Sequence, residues 1–393
     1  MEKNNKTLNV PNLRFPEFSV EWEKEFLGTT CNVLMCKRIL ASQTNAECGV
    51  PFYKIGTIGG VPDAYISKEL FESYKAKYNY PRKGEVMITC AGTVGKAMIF
   101  DGEDSYYQDS NIVWIDNPTN KIDNTFLYHF ISNVDWSKLN TTTIVRIYND
   151  DLRQLRISYP TLSEQRKISI FLNLLNQRIE TQKKIIEKYE SLIRGLITSV
   201  NKGEICKCKA TALKDVLTEV HEKNVENHEV CSVSVSQGVI NQIDYLGRSF
   251  AAKEVLHYNV VNYGDIVYTK SPTGEFPYGI VKRSNLDRPV AVSPLYGVYR
   301  PVNDYVGIYL HLYFKSPVNT KNYLHRLIQK GAKNTINITN QHFLDNQILI
   351  PEHGWLEIIV NAASTIEKMI QIECDALLWL ERQKNYLLSK MFI

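Results

Sequence analysis

The sequence predicts an α+β protein made of two similar globular units, each followed by a long helix. Three observations carry this. Asn149-Asp-Asp-Leu-Arg-Gln-Leu-Arg-Ile-Ser-Tyr-Pro160 returns 191 residues later (149 to 340) as Asn340-Gln-His-Phe-Leu-Asp-Asn-Gln-Ile-Leu-Ile-Pro351, with the Asn, the apolar spacing and the closing Pro in register. Upstream, Gly84-Glu-Val-Met-Ile-Thr89 is echoed by Gly264-Asp-Ile-Val-Tyr-Thr269, so the similarity includes a globular unit. Both copies then run into apolar residues at helical spacing. A period this long marks a duplicated domain, because solenoid repeats are on the order of tens of residues. The result is a pseudo-two-fold internal repeat, suited to a pseudo-symmetric partner.

Four segments follow. The first unit, 1–160, carries short strands at Pro51–Ile55, Glu85–Thr89, Lys96–Phe100 and Asn111–Ile115, broken by Gly and Pro turns, with a helix near Asn124–Asn133. The central helix, 161–200, opens on Thr161-Leu-Ser-Glu164, a capping-box spacing. Its seam reads Ile168, Leu172, Leu175, Ile179, Gln182, Ile186, Tyr189, Ile193, Leu196, Val200, steps of four and three that predict packing on another helix. At 1.5 Å per residue this helix reaches about 60 Å. Gly203 then stops it, and the polar stretch Asn201–Cys208 predicts a change of direction. The second unit, 201–351, has strands at Asp265–Thr269, Tyr278–Val281, Val290–Val292 and Gly297–Arg300, and a helix near Lys321–Lys330. In the last helix, 352–393, the seam recurs as Ile359, Ala363, Ile366, Ile370, Glu373, Leu377, Leu380, Lys384, Leu387, Met391. Gln182 and Glu373 occupy equivalent positions: either they fix helix register at some cost in stability, or they lie at the solvated edge of the stripe.

Composition excludes several classes. At 393 residues there is chain for two or three cores, and the repeat selects two. Hydrophobic residues at 44% and charged residues at 22% are those of an ordinary globular protein and not of a disordered one. Met1-Glu-Lys-Asn-Asn-Lys6 begins no signal peptide, and no run reaches the roughly 20 apolar residues of a membrane span, which predicts a cytoplasmic protein. The net charge of +4 distributes as −1, +3, +4 and −2 over the four segments, so any surface for nucleic acid must be a local patch on each unit. The eight cysteines form no paired CxxC knuckles; Cys206-Lys-Cys208 reads as a solvent-facing thiol pair in a linker, without metal.

No segment carries a catalytic signature. Ala91-Gly-Thr-Val-Gly-Lys96 is not a phosphate loop, because Cys90 stands where the first Gly belongs and Ala97 where a metal-binding Ser or Thr belongs; it reads as a hairpin turn that holds Lys96 near a surface. Pro62-Asp63 with Glu72-Ser-Tyr-Lys75 departs by one residue from a nuclease's PD…ExK spacing. Side chains suited to reading DNA do gather in predicted loops: Lys96, Tyr106, Gln108 and Arg146 in the first unit, Lys270, Arg283, Lys333 and Asn334 in the second. Gln and Asn can bond adenine bidentately and Arg and Lys can bond guanine. Singly each is an ordinary surface residue; the matched location of Thr143–Arg146 and Lys333–Asn337, both just before the repeated Asn…Pro segment, is what singles them out. Asn334 is expected to read a base and Lys333 to hold a phosphate.

With globular unit, Asn…Pro segment and long helix occurring twice in order, the chain resembles the specificity subunit of type I restriction–modification systems. The residues that carry this are Gly84–Lys96, Arg146–Pro160, Leu162-Ser-Glu-Gln-Arg-Lys-Ile168, Gly264–Thr269 and Thr335–Pro351; the second half departs at Glu352-His-Gly-Trp-Leu-Glu357, which replaces the Glu-Gln helix opening. The resemblance implies two target recognition domains joined by two long antiparallel, coiled-coil helices, each domain reading one half of a bipartite, asymmetric DNA site while the helices set the gap. It further implies a non-catalytic subunit without a cofactor of its own. Its implied partners are double-stranded DNA, methylation subunits that bind S-adenosylmethionine, and motor-nuclease restriction subunits. Two other readings stand beside it: a duplicated coiled-coil scaffold without DNA contact, and a stand-alone metal-dependent nuclease, which the missing carboxylate set disfavours.

Overall fold

The computed structural model describes residues 9–139, 146–248, 254–330, 336–352 and 354–393. The chain divides into two compact units, one formed by residues up to Gln182 with Ala376–Ile393, the other by Lys183–Asp375. The division falls within both long helices, Leu162–Asn201 and Trp355–Met391. Each helix thus gives half of its length to each unit.

In the first unit an antiparallel sheet runs in the order Asn32–Leu34, Ile112–Asp116, Val86–Thr89, Ala97–Ile99. Val86–Thr89 is buried on both faces, and strand alternation sends its side chains to two cores. Val86 and Ile88 join Phe126, Leu127 and Ile131 of the helix Asn124–Asn133, whereas Met87 joins Phe52, Ile66, Phe71 and Trp114 under a second small sheet. That helix starts where Asp123 accepts from the Thr125 and Phe126 amides. Glu23–Phe26 pairs antiparallel with Arg156–Tyr159 and closes the unit where the central helix begins. Into the first core the helices send Ile168, Leu172, Leu175 and Ile179 from one and Leu387, Leu388 and Met391 from the other, an early stretch meeting a late one, hence antiparallel.

The second unit repeats this plan. Its sheet order, Leu217–Glu219, Gly297–Pro301, Ile266–Tyr268, Val281–Arg283, matches the first strand for strand, and Cys208–Ala212 pairs antiparallel with Gln347–Pro351. Ile193, Ile197 and Val200 meet Ile359, Val360 and Ala363 in its core, again a late stretch against an early one.

Three expectations need correction. The helix corresponding to Asn124–Asn133 is Asp304–Phe314, not one near Lys321–Lys330. Tyr305-Val-Gly-Ile-Tyr-Leu-His-Leu-Tyr-Phe314 is buried on most sides, and so lacks the polar stripe by which a helix is read from sequence. A further helix, Pro317–His325, starts earlier than expected because Ser316 caps it through the Asn319 amide, and Gln329–Lys330 is extended, paired with Ile336–Asn337. The Thr161…Glu164 capping box is not closed: Thr161 Oγ1 meets Ser163 Oγ at 3.0 Å, while Glu164, 1% exposed, accepts two hydrogen bonds of 2.7 Å from Arg14. Gln165, fully buried, accepts from the Asp123 amide at 2.6 Å and donates to the Lys121 and Pro160 carbonyls. The Glu-Gln of the helix opening is therefore a clamp holding helix to domain. Finally, Cys206 is buried and Cys208 half-buried, their Sγ atoms 3.8 Å apart, so Cys206 does not face solvent.

Candidate nucleic-acid interface

In the first unit the turn between Val86–Thr89 and Ala97–Ile99 is the centre of a loop cluster. Thr89 organises it: its amide donates to the Lys96 carbonyl and its Oγ1 accepts from the Lys96 amide at 3.1 Å. Gly92 and Gly95 adopt φ of +67° and +83°, a region that costs little only without a Cβ. A Cβ on Gly95 would lie 2.1 Å from Trp136 Cδ1. Three other loops attach to this turn. Lys96 Nζ donates to the Ile58 carbonyl at 2.6 Å, binding the Gly-rich loop Lys54–Gly60. The Cys90 amide donates to Asn111, tying in the loop that holds Gln108. The Ile147 amide donates to Cys90, tying in the segment that holds Arg146, whose guanidinium lies 5.7 Å from the Tyr148 ring centroid.

The turn thus brings together Lys96, exposed, with Gln108 and Arg146, both half-buried. Gln108 Oε1 is buried without a hydrogen-bond partner among the described residues. Tyr106 does not belong with them. It is fully buried, its hydroxyl donates to the Lys37 carbonyl at 3.0 Å, and burial pushes its pKa up, so its place among the DNA-contacting residues is withdrawn. The sequence reading missed the loop Lys54–Gly60, whose glycine content was the available signal, and Lys54 itself, paired with Asp63 at 2.9 Å.

The same device recurs in the second unit. The Thr269 amide donates to Ile280, and its Oγ1 accepts from the Ile280 amide at 3.1 Å. Gly279, φ +107°, stands where Gly95 does. The turn is longer here, residues 270–279 against 90–95, and different in sequence. Lys270 begins it with φ +58°, half-buried; burial lowers its pKa against an opposing pull from Glu219. Arg283 is withdrawn as a contact residue. It is 4% exposed, bonded to Asp304 at 2.6 Å and to Asn285, and stacked 4.6 Å from the Tyr263 ring centroid, which makes it a tie between sheet edge and helix start. Lys333 and Asn334 lie outside the described residues, between the paired strands Gln329–Lys330 and Ile336–Asn337.

Gly95→Ala is expected to cost about 2 kcal/mol, from the strained φ and the overlap with Trp136. Thermal unfolding checks it; a change within about 0.5 kcal/mol would show that the turn is not held as described.

A sheet-and-helix unit occurring twice, each copy sharing its core with halves of two long helices and presenting a glycine-turned loop cluster, defines a duplicated α+β fold. Solved structures share it. A crystal structure of a type I restriction–modification S subunit from M. genitalium superposes with a TM-score of 0.58 at 12% identity, covering 98% of this chain and 99% of that one. A chain from a study of assembly and conformational transition of the type I R-M system gives 0.53 at 15% identity, covering 94% and 97%. Residues 19–191 match the model of the type I restriction modification DNA specificity domain. Over 147 residues the chain is 53% identical to the putative type I restriction enzyme specificity subunit S.HindORF215P of Haemophilus influenzae, an alignment spanning 37% of this chain and 38% of that relative's length. Among the described residues no helix is long and apolar enough to cross a membrane.

Proposed function

We propose that this chain is the DNA sequence-specificity subunit of a type I restriction–modification complex, and that each unit reads one half of a bipartite, asymmetric site. The observation that supports this most directly is that the unit matching the DNA specificity domain is followed by a second copy of its fold, with the same sheet order and closing strand pair but different loops at the glycine turn. One scaffold with two sets of loops suits two different half-sites. Lys96, Gln108 and Arg146 would contact the first half-site, Lys270, Lys333 and Asn334 the second. Within each set, the amide and guanidinium groups suit base edges and the ammonium groups suit phosphates.

The chain would act without catalysis of its own. Adenine methylation would belong to methylation subunits that carry S-adenosylmethionine, and cleavage to restriction subunits, all acting on double-stranded DNA in the cytoplasm. In the first unit Trp379, 68% exposed, and Tyr386, 59% exposed, line with Arg178 and Arg382 a groove of about 620 Å³. Exposed Trp, Tyr and Arg are the residue types that anchor protein interfaces, and this face is offered to a methylation subunit.

Co-expression with the methylation subunits, followed by genome-wide mapping of modified adenines, tests the reading. A split sequence is expected, and a continuous short motif would contradict it. One heptad added to both helices, within Ile179–Ile193 and within Ile370–Lys384, should widen the gap by about 10 Å, roughly three base pairs, with both half-sites unchanged. New bases in a half-site at unchanged spacing would count against helices that set the gap.

A further inference from the structure

We propose that the second unit carries a binding cavity for a small organic anion, a carboxylate or monophosphate on an apolar body, held by Lys282 at the N-terminus of the helix Pro317–His325. The inference is independent of the DNA reading. The cavity, about 610 Å³, lies among Ile193, Ile197, Phe276, Lys282, Leu312 and the segment Lys315–Asn319, within the range typical of small-molecule sites.

Lys282 is the observation that carries it. Its side chain is 4% exposed yet lines the cavity, and no carboxylate of the described residues comes within 4 Å of its ammonium. A cation taken out of water without a partner is costly. The neighbouring charge that acts on it is Lys315, of the same sign; with burial as the larger cause, the Lys282 ammonium is held down to about 8. His311, against the same strand, is kept neutral at about 3 by burial and by Lys282, Lys315 and Arg283. Of these cations Lys315 has Glu367 at 3.3 Å and Arg283 has Asp304 at 2.6 Å, which leaves Lys282 over. Two further carboxylates line the cavity, Glu190, met by Arg194 at 3.6 Å, and Glu275, which is exposed.

The helix adds to the same field. Its N-terminal residues Pro317, Val318 and Asn319 line the cavity, where the macrodipole is positive and backbone amides favour an anion. Ile193, Ile197, Phe276 and Leu312 give apolar walls that a bare inorganic ion would leave unfilled.

Calorimetric titration of the full chain with phenyl phosphate, phenylacetate, benzyl alcohol and inorganic phosphate, on wild type and Lys282→Met, tests this. Methionine keeps the stem of the side chain and removes a buried unpaired charge, so the variant is expected to fold; Lys282→Arg keeps the charge and serves as the second variant. One of the two aromatic anions should bind the wild type, at least tenfold more weakly after Lys282→Met, with binding retained after Lys282→Arg. Which of the two binds distinguishes a phosphate from a carboxylate head. Affinity should fall as pH rises through about 8, because the empty-cavity ammonium loses its proton there. Binding of neither anion, equal binding by Lys282→Met, or equal binding of benzyl alcohol would overturn the proposal, as would inorganic phosphate binding as tightly as phenyl phosphate.

Discussion

Replacing Arg14 by Ala is expected to destabilise the first unit by about 3–5 kcal/mol, the range for breaking a buried ion pair by removing one partner. The Glu164 side chain is 1% exposed and the Arg14 side chain 13%, so water screens neither well. Both carboxylate oxygens accept from the guanidinium at 2.7 Å. Without Arg14 the carboxylate stays buried at the first turn of the central helix, and beside it the Gln165 bonds to Asp123, Lys121 and Pro160 lose a rigid neighbour. The cost is that of a stranded charge more than of a lost attraction, which a second variant can show. Glu164→Gln combined with Arg14→Ala should recover a large part of the loss, since the neutral amide costs less to bury. Hydrogen exchange on the full chain measures this unit by unit. A loss below about 1 kcal/mol, or equal loss of protection in residues 254–330, would show that the pair does not anchor this helix.

The repeat was legible because it lies in residue spacing. Strands expected at Glu85–Thr89 and Lys96–Phe100 lie at Val86–Thr89 and Ala97–Ile99, and the helix at Asn124–Asn133 is as expected, because Asp123 supplies a local cap. Asp304–Phe314 was not legible. Its apolar residues face the core on most sides, and a helix buried all round has the same composition as a buried strand. The Glu164 clamp escaped for another reason. Its partner is 150 residues distant, so a local rule gave Glu164 a local partner, Thr161, that the Arg14 guanidinium outcompetes.

The loop cluster was legible in part. Glycine spacing at Gly92 and Gly95 marked a turn, and Lys96 beside it is exposed, as a contact residue must be. Tyr106 and Arg283 went the other way, because residue type says what a side chain can bond and not which side of a strand it occupies. Tyr106 lies in a short strand parallel to Phe52–Tyr53, facing a core, and Arg283 closes the second sheet edge on Asp304. Lys282, one residue away, is the converse: nothing in its sequence neighbourhood marks a buried cation, and only the fold shows that Lys315 and His311 surround it without a counter-charge.

Phe343→Ala is expected to cost about 3–5 kcal/mol, in the second unit alone. Phe343 is fully buried in the repeated Asn340–Pro351 segment, stacked 5.0 Å from Tyr268 and 4.8 Å from Tyr299, with Phe314 and Tyr323 at its other sides. Four aromatic neighbours on two strands and two helices cannot all move inward, so a cavity remains. Tyr268 stands one residue before Thr269, which organises the turn 270–279, and Phe343 lies in the helix Asn340–Asp345 that follows Ile336–Asn337. Loss of the ring therefore loosens both supports of the loops assigned to the second half-site. The first unit shows what is tolerated: at the equivalent position it has Leu152, also fully buried. Phe343→Leu should accordingly cost less than half as much as Phe343→Ala. In the complex with methylation subunits proposed above, Phe343→Ala should relax or abolish reading of the second half-site while the first is read unchanged. Hydrogen exchange and modified-adenine mapping check the two claims separately. Loss of protection spread equally over both units, or relaxation of the first half-site, would show that the two copies of the fold are not independent in stability or in reading.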